Sequence, residues 1–247
     1  MGFLSTIFKK KPLLLPFDLS LIGIDMHSHL IPGIDDGSRN MDETIALLSK
    51  FESLGFKKVI TTPHIMNEVY NNTSEIILEG LKNVKNEAER VGLAIQIEAA
   101  AEYYFDDTVI EKVKNGTILT IGDRFVLVEF SFHSSPIFED QLFFEMQMEK
   151  YKPILAHFER YPYYHGSSDK AKELRDKGVN IQLNLNSLTG NYGPEVRKQA
   201  ERLIDDKLVD FVGSDCHRIQ HLTLLEEHLT NPYFHKLAEL PLKNNLL

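Results

Sequence analysis

The stretch Leu-Ile-Gly-Ile-Asp-Met-His-Ser-His, residues 21–29, joins a short apolar run to a pair of histidines. A short apolar run bounded by polar residues or glycine is typical of a buried strand. Six further runs of this kind follow along the chain. The seven predicted strands lie at residues 21–26, 58–62, 94–99, 125–130, 153–157, 179–185 and 209–214.

Helical patterns with recognisable ends lie between most of these runs. Asn40 and Glu43 predict a capping box, and Gly55 stands where that helix would end. Strands alternating with helices favour a parallel α/β fold. We expect a barrel one strand short of the eight-stranded type, with an open doubly wound sheet as the alternative. The further predicted helices cover residues 73–90, 137–149, 168–177 and 194–208.

The composition is that of a globular protein and limits its partners. The 247 residues include 43% hydrophobic residues, and the formal net charge is −9, which disfavours a protein that binds nucleic-acid backbones. A single cysteine excludes an intrachain disulfide and a cysteine-rich zinc site. We expect an N-terminal leader over residues 1–20 and one domain over residues 21–247.

Residues 1–11 combine a short apolar run with three following lysines. A secretory signal carries its positive charges before the apolar run, so this order does not match one. We therefore expect a cytoplasmic protein. Residues 1–11 are either a frayed terminus or a peripheral contact with the inner face of the membrane.

Histidine or carboxylate side chains follow six of the seven predicted strands. The carboxyl ends of barrel strands meet at one mouth, where α/β barrels carry their chemistry. Extended chain sends residues two apart to the same face, which pairs His27 with His29 and Asp215 with His217. Crowded carboxylates repel one another unless a cation lies among them. The predicted metal ligands are His27, His29, His64, Glu102, Glu129, His157, Asp215 and His217.

Two other features near these strand ends have more than one interpretation. Asp35 and Asp36 precede Gly37 in a turn signal, so their carboxylates face either a metal or solvent. Cys216 lacks the arginine six positions later that cysteine-dependent tyrosine phosphatases use, because Leu222 stands there. We interpret Cys216 as a small buried residue.

These motifs together resemble the PHP (polymerase and histidinol phosphatase) superfamily. Within it, the chain resembles the bacterial protein-tyrosine phosphatases of capsular and exopolysaccharide biosynthesis, from about Leu21 to beyond His217. The motifs that carry the resemblance are Ile24-Asp-Met-His-Ser-His29, Asp35-Asp-Gly37, Thr62-Pro-His64, Glu102-Tyr-Tyr104, Glu129-Phe-Ser131, His157-Phe-Glu-Arg-Tyr161 and Ser214-Asp-Cys-His217.

The resemblance implies a distorted seven-stranded TIM-like barrel that holds three divalent ions, often manganese, with iron or zinc also compatible. It also implies that Arg160 contacts phosphate. In the implied ligand sets, His27, His29, Glu102 and Asp215 hold the first ion, Glu102 bridges to a second held by Glu129 and His157, and His64 and His217 hold the third near Asp36.

The chain departs from the family pattern at two places. Ile65 and Met66 stand where relatives carry basic residues, and a later arginine is missing, with Arg218 close enough to replace it. The predicted chemistry is attack of metal-bound hydroxide on phosphotyrosine. Asp36 is the candidate for protonating the leaving group.

The expected partner is a phosphotyrosine protein, such as a tyrosine kinase that regulates capsule synthesis, and not a nucleic acid. The alternatives are a small-molecule phosphoesterase of the histidinol phosphate type and a non-catalytic module that binds the kinase tail. Five aromatic residues are expected either to wall an aromatic substrate or to pack in the core. They are Phe130, Phe132, Tyr161, Tyr163 and Tyr164.

Overall fold

The computed structural model describes residues 14–247, and within them nine short strands each run parallel to their neighbours. One sheet has the order β1-β2-β4 and the other the order β3-β5-β6-β7-β8-β9. The strands are β1 (Ile24–Asp25), β2 (Lys58–Thr61), β3 (His64–Ile65), β4 (Gln96–Ala99), β5 (Glu102–Tyr104), β6 (Phe125–Glu129), β7 (Lys152–Leu155), β8 (Asn180–Asn184) and β9 (Phe211–Gly213).

A strand overlaps each of the seven predicted runs, and two short strands that were not predicted, β3 and β5, follow the second and the third run. Pro63 separates β2 from β3, and a proline has no N–H to donate to a ladder. Ala100 and Ala101 separate β4 from β5. The two additional strands, β3 and β5, pair with each other and continue the larger sheet.

The parallel α/β prediction is confirmed, whereas one continuous seven-stranded barrel sheet is not formed by the described residues. Between β9 and β1 the contact is a single parallel bridge, Ser28 to Cys216. Two backbone bonds flank it, from His29 N to Cys216 O (2.9 Å) and from Asp215 N to His27 O (2.8 Å). Since β1 has only two residues and Pro63 interrupts the next strand, the ladder splits into two sheets.

Eight α-helices connect these strands, and five of them match the predicted helices. Asn40 Oδ1 accepts from Glu43 N at 3.0 Å as predicted, although the Glu43 carboxylate accepts from Arg39 N rather than from Asn40. The sequence analysis missed α3, α7 and α8. The helices are α1 (Met41–Ser53), α2 (Ser74–Arg90), α3 (Asp107–Asn115), α4 (Glu139–Met148), α5 (Asp169–Asp176), α6 (Pro194–Asp205), α7 (Ile219–Glu227) and α8 (Pro232–Ala238).

Two apolar clusters hold these layers together. The smaller cluster includes Met26, Ile60, Leu127, Ile154 and Phe211, each of which lies in or directly after a different strand. The larger cluster packs the strands against the surrounding helices. Because all strands run the same way, their carboxyl ends open at one mouth, which positions the candidate site.

The chain before β1 packs against the C-terminal helix. Phe17 is buried, stacks on Phe234 with ring centroids 6.3 Å apart, and donates its backbone N–H to Leu229 O at 2.9 Å. The predicted contact of residues 1–11 with a membrane lies outside the described residues. Among residues 14–247 no helix is long and apolar enough to span a bilayer.

Candidate metal centre

Side chains that follow β1 and β9 meet Glu102 of β5 in a first group of four. Nε2 of His27 lies 3.3 Å from Glu102 Oε2 and 3.4 Å from Asp215 Oδ1. Nε2 of His29 lies 3.5 Å and 3.4 Å from the same two oxygens, and 3.4 Å from Nε2 of His27. Ligand atoms at about 2.1 Å from one cation stand roughly 3.0–3.4 Å apart, so this spacing suits a shared ion.

Glu102 also takes part in a second group at the mouth. Its Oε1 lies 3.0 Å from Nε2 of His157, and that nitrogen lies 3.5 Å from Glu129 Oε1. Nδ1 of His64 lies 3.1 Å from Glu102 Oε2 and 3.7 Å from Glu129 Oε2. The carboxylate of Glu102 therefore belongs to both the first and the second group.

A third group forms around Asp36, on the more exposed side of the mouth. Asp36 Oδ1 lies 3.3 Å from Nε2 of His217 and 3.6 Å from Nε2 of His64. The His29 ring stacks on His217 at 4.0 Å between centroids, and His29 belongs to this group by its nitrogen position. All eight predicted ligands, together with Asp36, thus lie within one connected cluster.

Buried polar atoms that lack hydrogen bonds support a cation in this cluster. Glu102 Oε2 and His64 Nδ1 are both buried without a hydrogen-bond partner, although they lie only 3.1 Å apart. Buried polar atoms normally find partners, so such a pair needs an explanation. Atoms that converge at this distance without hydrogen-bond geometry fit common coordination to a metal, and the residues therefore fit the expected ions.

The backbone turns two of these side chains back toward the mouth. His157 has φ +30° and Asp215 has φ +50°, and each follows the end of a strand. Non-glycine residues rarely adopt this left-handed region, and such strain concentrates at functional sites. At these two residues an unfavourable backbone conformation therefore places the side chain in the cluster.

Neighbouring side chains shift the pKa values of the buried acids and histidines in the cluster. Burial alone would raise the pKa of Asp215 and Glu102, but the neighbouring imidazoles, His27 first, hold both values well below the usual range. Burial alone would lower the pKa of His157, yet hydrogen bonds with Glu102 and Glu129 raise it to about 9. The buried carboxylates and imidazoles of the cluster thus stabilise the charged forms of one another.

Two outer residues orient the histidines, and Asp35 is one of them. Its Oδ2 lies 2.8 Å from His29 Nδ1 and accepts from His64 N at 3.1 Å, while Oδ1 accepts from Gly37 N at 3.0 Å. Asp35 therefore faces the histidines rather than solvent. Gln182, which the sequence analysis missed, accepts from His157 N at 2.7 Å and lies 3.3 Å from His27 Nδ1.

Arg160 lies beside the first group and directly contacts Asp215, one of the predicted metal ligands. Its Nη1 donates to Asp215 Oδ2 at 2.7 Å, and its guanidinium carbon lies 4.7 Å from the Phe132 ring centroid. The same carbon lies 4.3 Å from the centroid of Tyr192, a residue that the sequence analysis did not single out. Arg160 is mostly buried, with 23% of its side chain exposed.

Arg218 lies in a groove of about 620 Å³ that opens from the third group. Asp36 and His217 line the same groove, which places the arginine at the edge of the cluster. The hydrogen bond with His217 lowers the pKa of Asp36 to about 2, so its carboxylate is ionised. Asp36 therefore has the charge of a ligand at neutral pH.

The five aromatic residues differ in burial, and the three that are partly exposed also pack against the core. Phe130 and Tyr161 are fully buried, and Tyr161 Oη accepts from Phe130 N at 2.9 Å. These two pack in the core, so the hypothesis that they wall a substrate is wrong for them. Phe132, Tyr163 and Tyr164 are half-buried.

Cys216 has the buried position that the sequence analysis expected. It is fully buried, and burial raises the pKa of its thiol well above the usual value. A nucleophilic cysteine instead needs a depressed pKa and access to substrate. The thiol of Cys216 has neither property.

Comparison with known proteins agrees with this geometry. The family model for capsular polysaccharide synthesis, CpsB/CapC, matches residues 23–224. The chain is 33% identical to CapC of Staphylococcus aureus over 209 residues, which cover 84% of this chain and 82% of that protein. It is 27% identical to the tyrosine-protein phosphatase YwqE of Bacillus subtilis over 198 residues, covering 80% of this chain and 78% of YwqE.

A solved structure gives the same result for the fold. It comes from crystal structures of YwqE from Bacillus subtilis and CpsB from Streptococcus pneumoniae, described as unique metal-dependent tyrosine phosphatases. The match has a TM-score of 0.76 and 27% identity, and it covers 90% of this chain and 94% of the other. The match of the family model over most of the sequence shows that the chain belongs to the CpsB/CapC family of capsular polysaccharide synthesis.

Proposed function

We propose that this protein is a metal-dependent protein-tyrosine phosphatase. The printed names of YwqE and CpsB, and the metal dependence stated for their structures, support this function. The single observation that carries it is the cluster around Glu102. One buried carboxylate lies within 3.5 Å of imidazole nitrogens from four different histidines, His27, His29, His64 and His157.

The proposed cofactors are three divalent ions, one for each group of the cluster. Mixed imidazole and carboxylate donors suit manganese, iron or zinc, and manganese is the first candidate. When bound, such ions polarise phosphate oxygens and lower the pKa of water toward neutrality. Glu102 would join the first and second ions, while His64, His217 and Asp36 would hold the third.

The chain's own contribution to the reaction centres on Arg160. A guanidinium can give charge-assisted hydrogen bonds to phosphate oxygens, and these strengthen as charge develops on them. Arg218 would supply a second positive charge from the groove side. Asp36, whose Oδ1 lies 3.3 Å from Nε2 of His217, would either hold the third ion or protonate the leaving group.

The proposed substrate is phosphotyrosine in a protein, such as a tyrosine kinase of capsule synthesis. A phenol has a pKa of about 10, so phenolate leaves with little help from a general acid. We further propose that the two sheets act as one distorted seven-stranded barrel, and that the protein works in the cytoplasm.

A substrate panel with and without metal tests the proposal. The purified protein is stripped of metal, reloaded with manganese, and assayed on a phosphotyrosine peptide, a phosphoserine peptide, histidinol phosphate and single-stranded DNA. We expect manganese-dependent hydrolysis of the phosphotyrosine peptide above all. Preference for histidinol phosphate would favour a small-molecule phosphoesterase, and binding without hydrolysis would favour a non-catalytic module.

A further inference from the structure

The side chain of Arg160 contacts two aromatic rings in addition to its ion pair with Asp215. Its guanidinium carbon lies 4.3 Å from the ring centroid of Tyr192 and 4.7 Å from that of Phe132. Arginine stacks on aromatic faces through its planar, weakly hydrated cation. The two rings, called the aromatic clamp below, therefore fix the guanidinium plane and remove much of its hydration.

The hydroxyl of Tyr192 connects this clamp to the ligand Asp215. Asn184 Nδ2 lies 3.2 Å from Tyr192 Oη and donates to Asp215 Oδ2 at 3.0 Å. Arg160 Nη1 donates to the same oxygen at 2.7 Å. Tyr192, Asn184, Asp215 and Arg160 thus form a closed ring of contacts beside the metal cluster.

The local backbone places Tyr192 in this position. Gly190 and Gly193 flank it with φ of +87° and +92°, a region that glycine adopts without steric cost. Gly193 N donates to Gly190 O at 3.0 Å and closes the turn, after which Pro194 begins α6. This turn therefore places the half-buried ring of Tyr192 against the guanidinium of Arg160.

The hydrogen bonds of Arg160 leave most of its donors for a ligand. Within residues 14–247 its side chain makes one hydrogen bond, through Nη1, although a guanidinium carries five N–H donors. A clamped guanidinium with free donors is pre-organised for an oxyanion. We propose that Tyr192 is a positioning residue that holds Arg160 for the phosphate, an inference that rests on the proposed function.

A double-mutant cycle tests this role on the manganese-loaded protein. Tyr192→Leu removes the stacking ring, and Tyr192→Phe retains the ring without the hydroxyl. Both are made in the wild type, and Tyr192→Leu is also made in an Arg160→Ala background. Tyr233→Leu on α8 is the matched control, since Tyr233 is also half-buried but contacts Lys236 and Asp205. The readouts are kcat on a phosphotyrosine peptide, calorimetric affinity for inorganic phosphate, and metal content.

We expect Tyr192→Leu to lower kcat and phosphate affinity by about 2- to 30-fold, the range of a cation–π contact. Tyr192→Phe and Tyr233→Leu should stay within about twofold of wild type, with metal content unchanged in all variants. In the Arg160→Ala background, the effect of Tyr192→Leu should fall below about twofold, because the contact is already lost.

Three results would overturn the inference: an equal effect in both backgrounds, a Tyr192→Phe loss as large as that of Tyr192→Leu, or metal loss in Tyr192→Leu. Failure of the proposed function looks different. A wild-type protein that binds phosphate but does not hydrolyse phosphotyrosine contradicts that function, while the cycle on phosphate affinity still decides the role of Tyr192.

Discussion

Asp215 accepts a hydrogen bond of 2.7 Å from Arg160 through Oδ2, while its Oδ1 lies 3.4 Å from Nε2 of His27 and 3.4 Å from Nε2 of His29. One carboxylate thus connects the arginine to the candidate metal ligands. The arginine fixes which oxygen faces the histidines. In the proposed function, this pair would link phosphate binding to metal binding.

Arg160→Ala and His157→Ala should separate these two roles. Loss of one charge-assisted donor to a transition-state oxyanion costs about 10²–10³ in rate, so Arg160→Ala should lower kcat by that factor. Its metal stoichiometry should remain, because Asn184 still donates to Asp215 Oδ2. His157→Ala should lose metal as well as rate, since it deletes a ligand.

Elemental analysis and steady-state kinetics on both variants provide the check. Loss of metal from Arg160→Ala like that from His157→Ala, or wild-type kinetics, would rule out the phosphate contact. In the case of wild-type kinetics, Arg218 becomes the better source of the positive charge.

Asp35→Asn should weaken metal binding without deleting a ligand. The Asp35 carboxylate lies 2.8 Å from His29 Nδ1, and outer partners of this kind are typically worth 10- to 100-fold in metal affinity or activity. Manganese titration should show a decrease of about that size. Asp42→Asn, at an exposed position on α1, is the control. Equal affinities in the two variants would contradict the orienting role.

Metal loading should release protons, and the number should depend on pH. In the metal-free protein the pKa of His157 is raised to about 9, so its imidazole is protonated at pH 7 and a metal must displace that proton. Manganese affinity should therefore rise with pH until about 9, and proton release should decline above it. Calorimetry in buffers of different ionisation enthalpy measures the release directly.

The same shift makes the metal-free fold sensitive to alkaline pH. The stabilisation from His157 is complete below its ordinary pKa of 6.5 and is lost as pH rises through about 9. Proton release that is absent at pH 7, together with a metal-free Tm that is unchanged from pH 7 to 10, would contradict the ion pairing between His157 and Glu102.

Cys216→Ser should leave turnover within about twofold of wild type. The thiol is buried, and its Sγ lies 3.6 Å from Arg218 O, a contact that a serine hydroxyl can also make. Initial rates on a phosphotyrosine peptide, with metal content measured in parallel, test this expectation. A large fall in rate with normal folding and metal content would indicate a thiol nucleophile.

The sequence predicts the strands, and the histidines and carboxylates that follow them, because both depend on local pattern. Apolar runs mark each strand, and a histidine or carboxylate just beyond a parallel strand must reach the common mouth. This reasoning places His27 and Asp215 together although 188 positions separate them. The additional strands β3 and β5 lie beyond the apolar runs, and an apolar run alone does not show which sheet a strand will join.

Residues that act through tertiary packing escape such reasoning. Gln182 lies inside β8 and reaches His27 and His157 only after folding. Tyr192 belongs to a glycine-flanked loop that reads as an ordinary turn. The sequence also leaves open whether Tyr161 walls a substrate or packs in the core, and only the fold shows that its ring is fully buried.

The most direct test of metal-dependent phosphotyrosine hydrolysis is one titration. The purified protein is stripped by chelation until elemental analysis finds no metal, and manganese is then added in steps while hydrolysis of a phosphotyrosine peptide is followed. We predict no turnover without metal, and activity that rises with bound manganese until the cluster is filled. Full activity in protein verified to contain no metal would contradict the account.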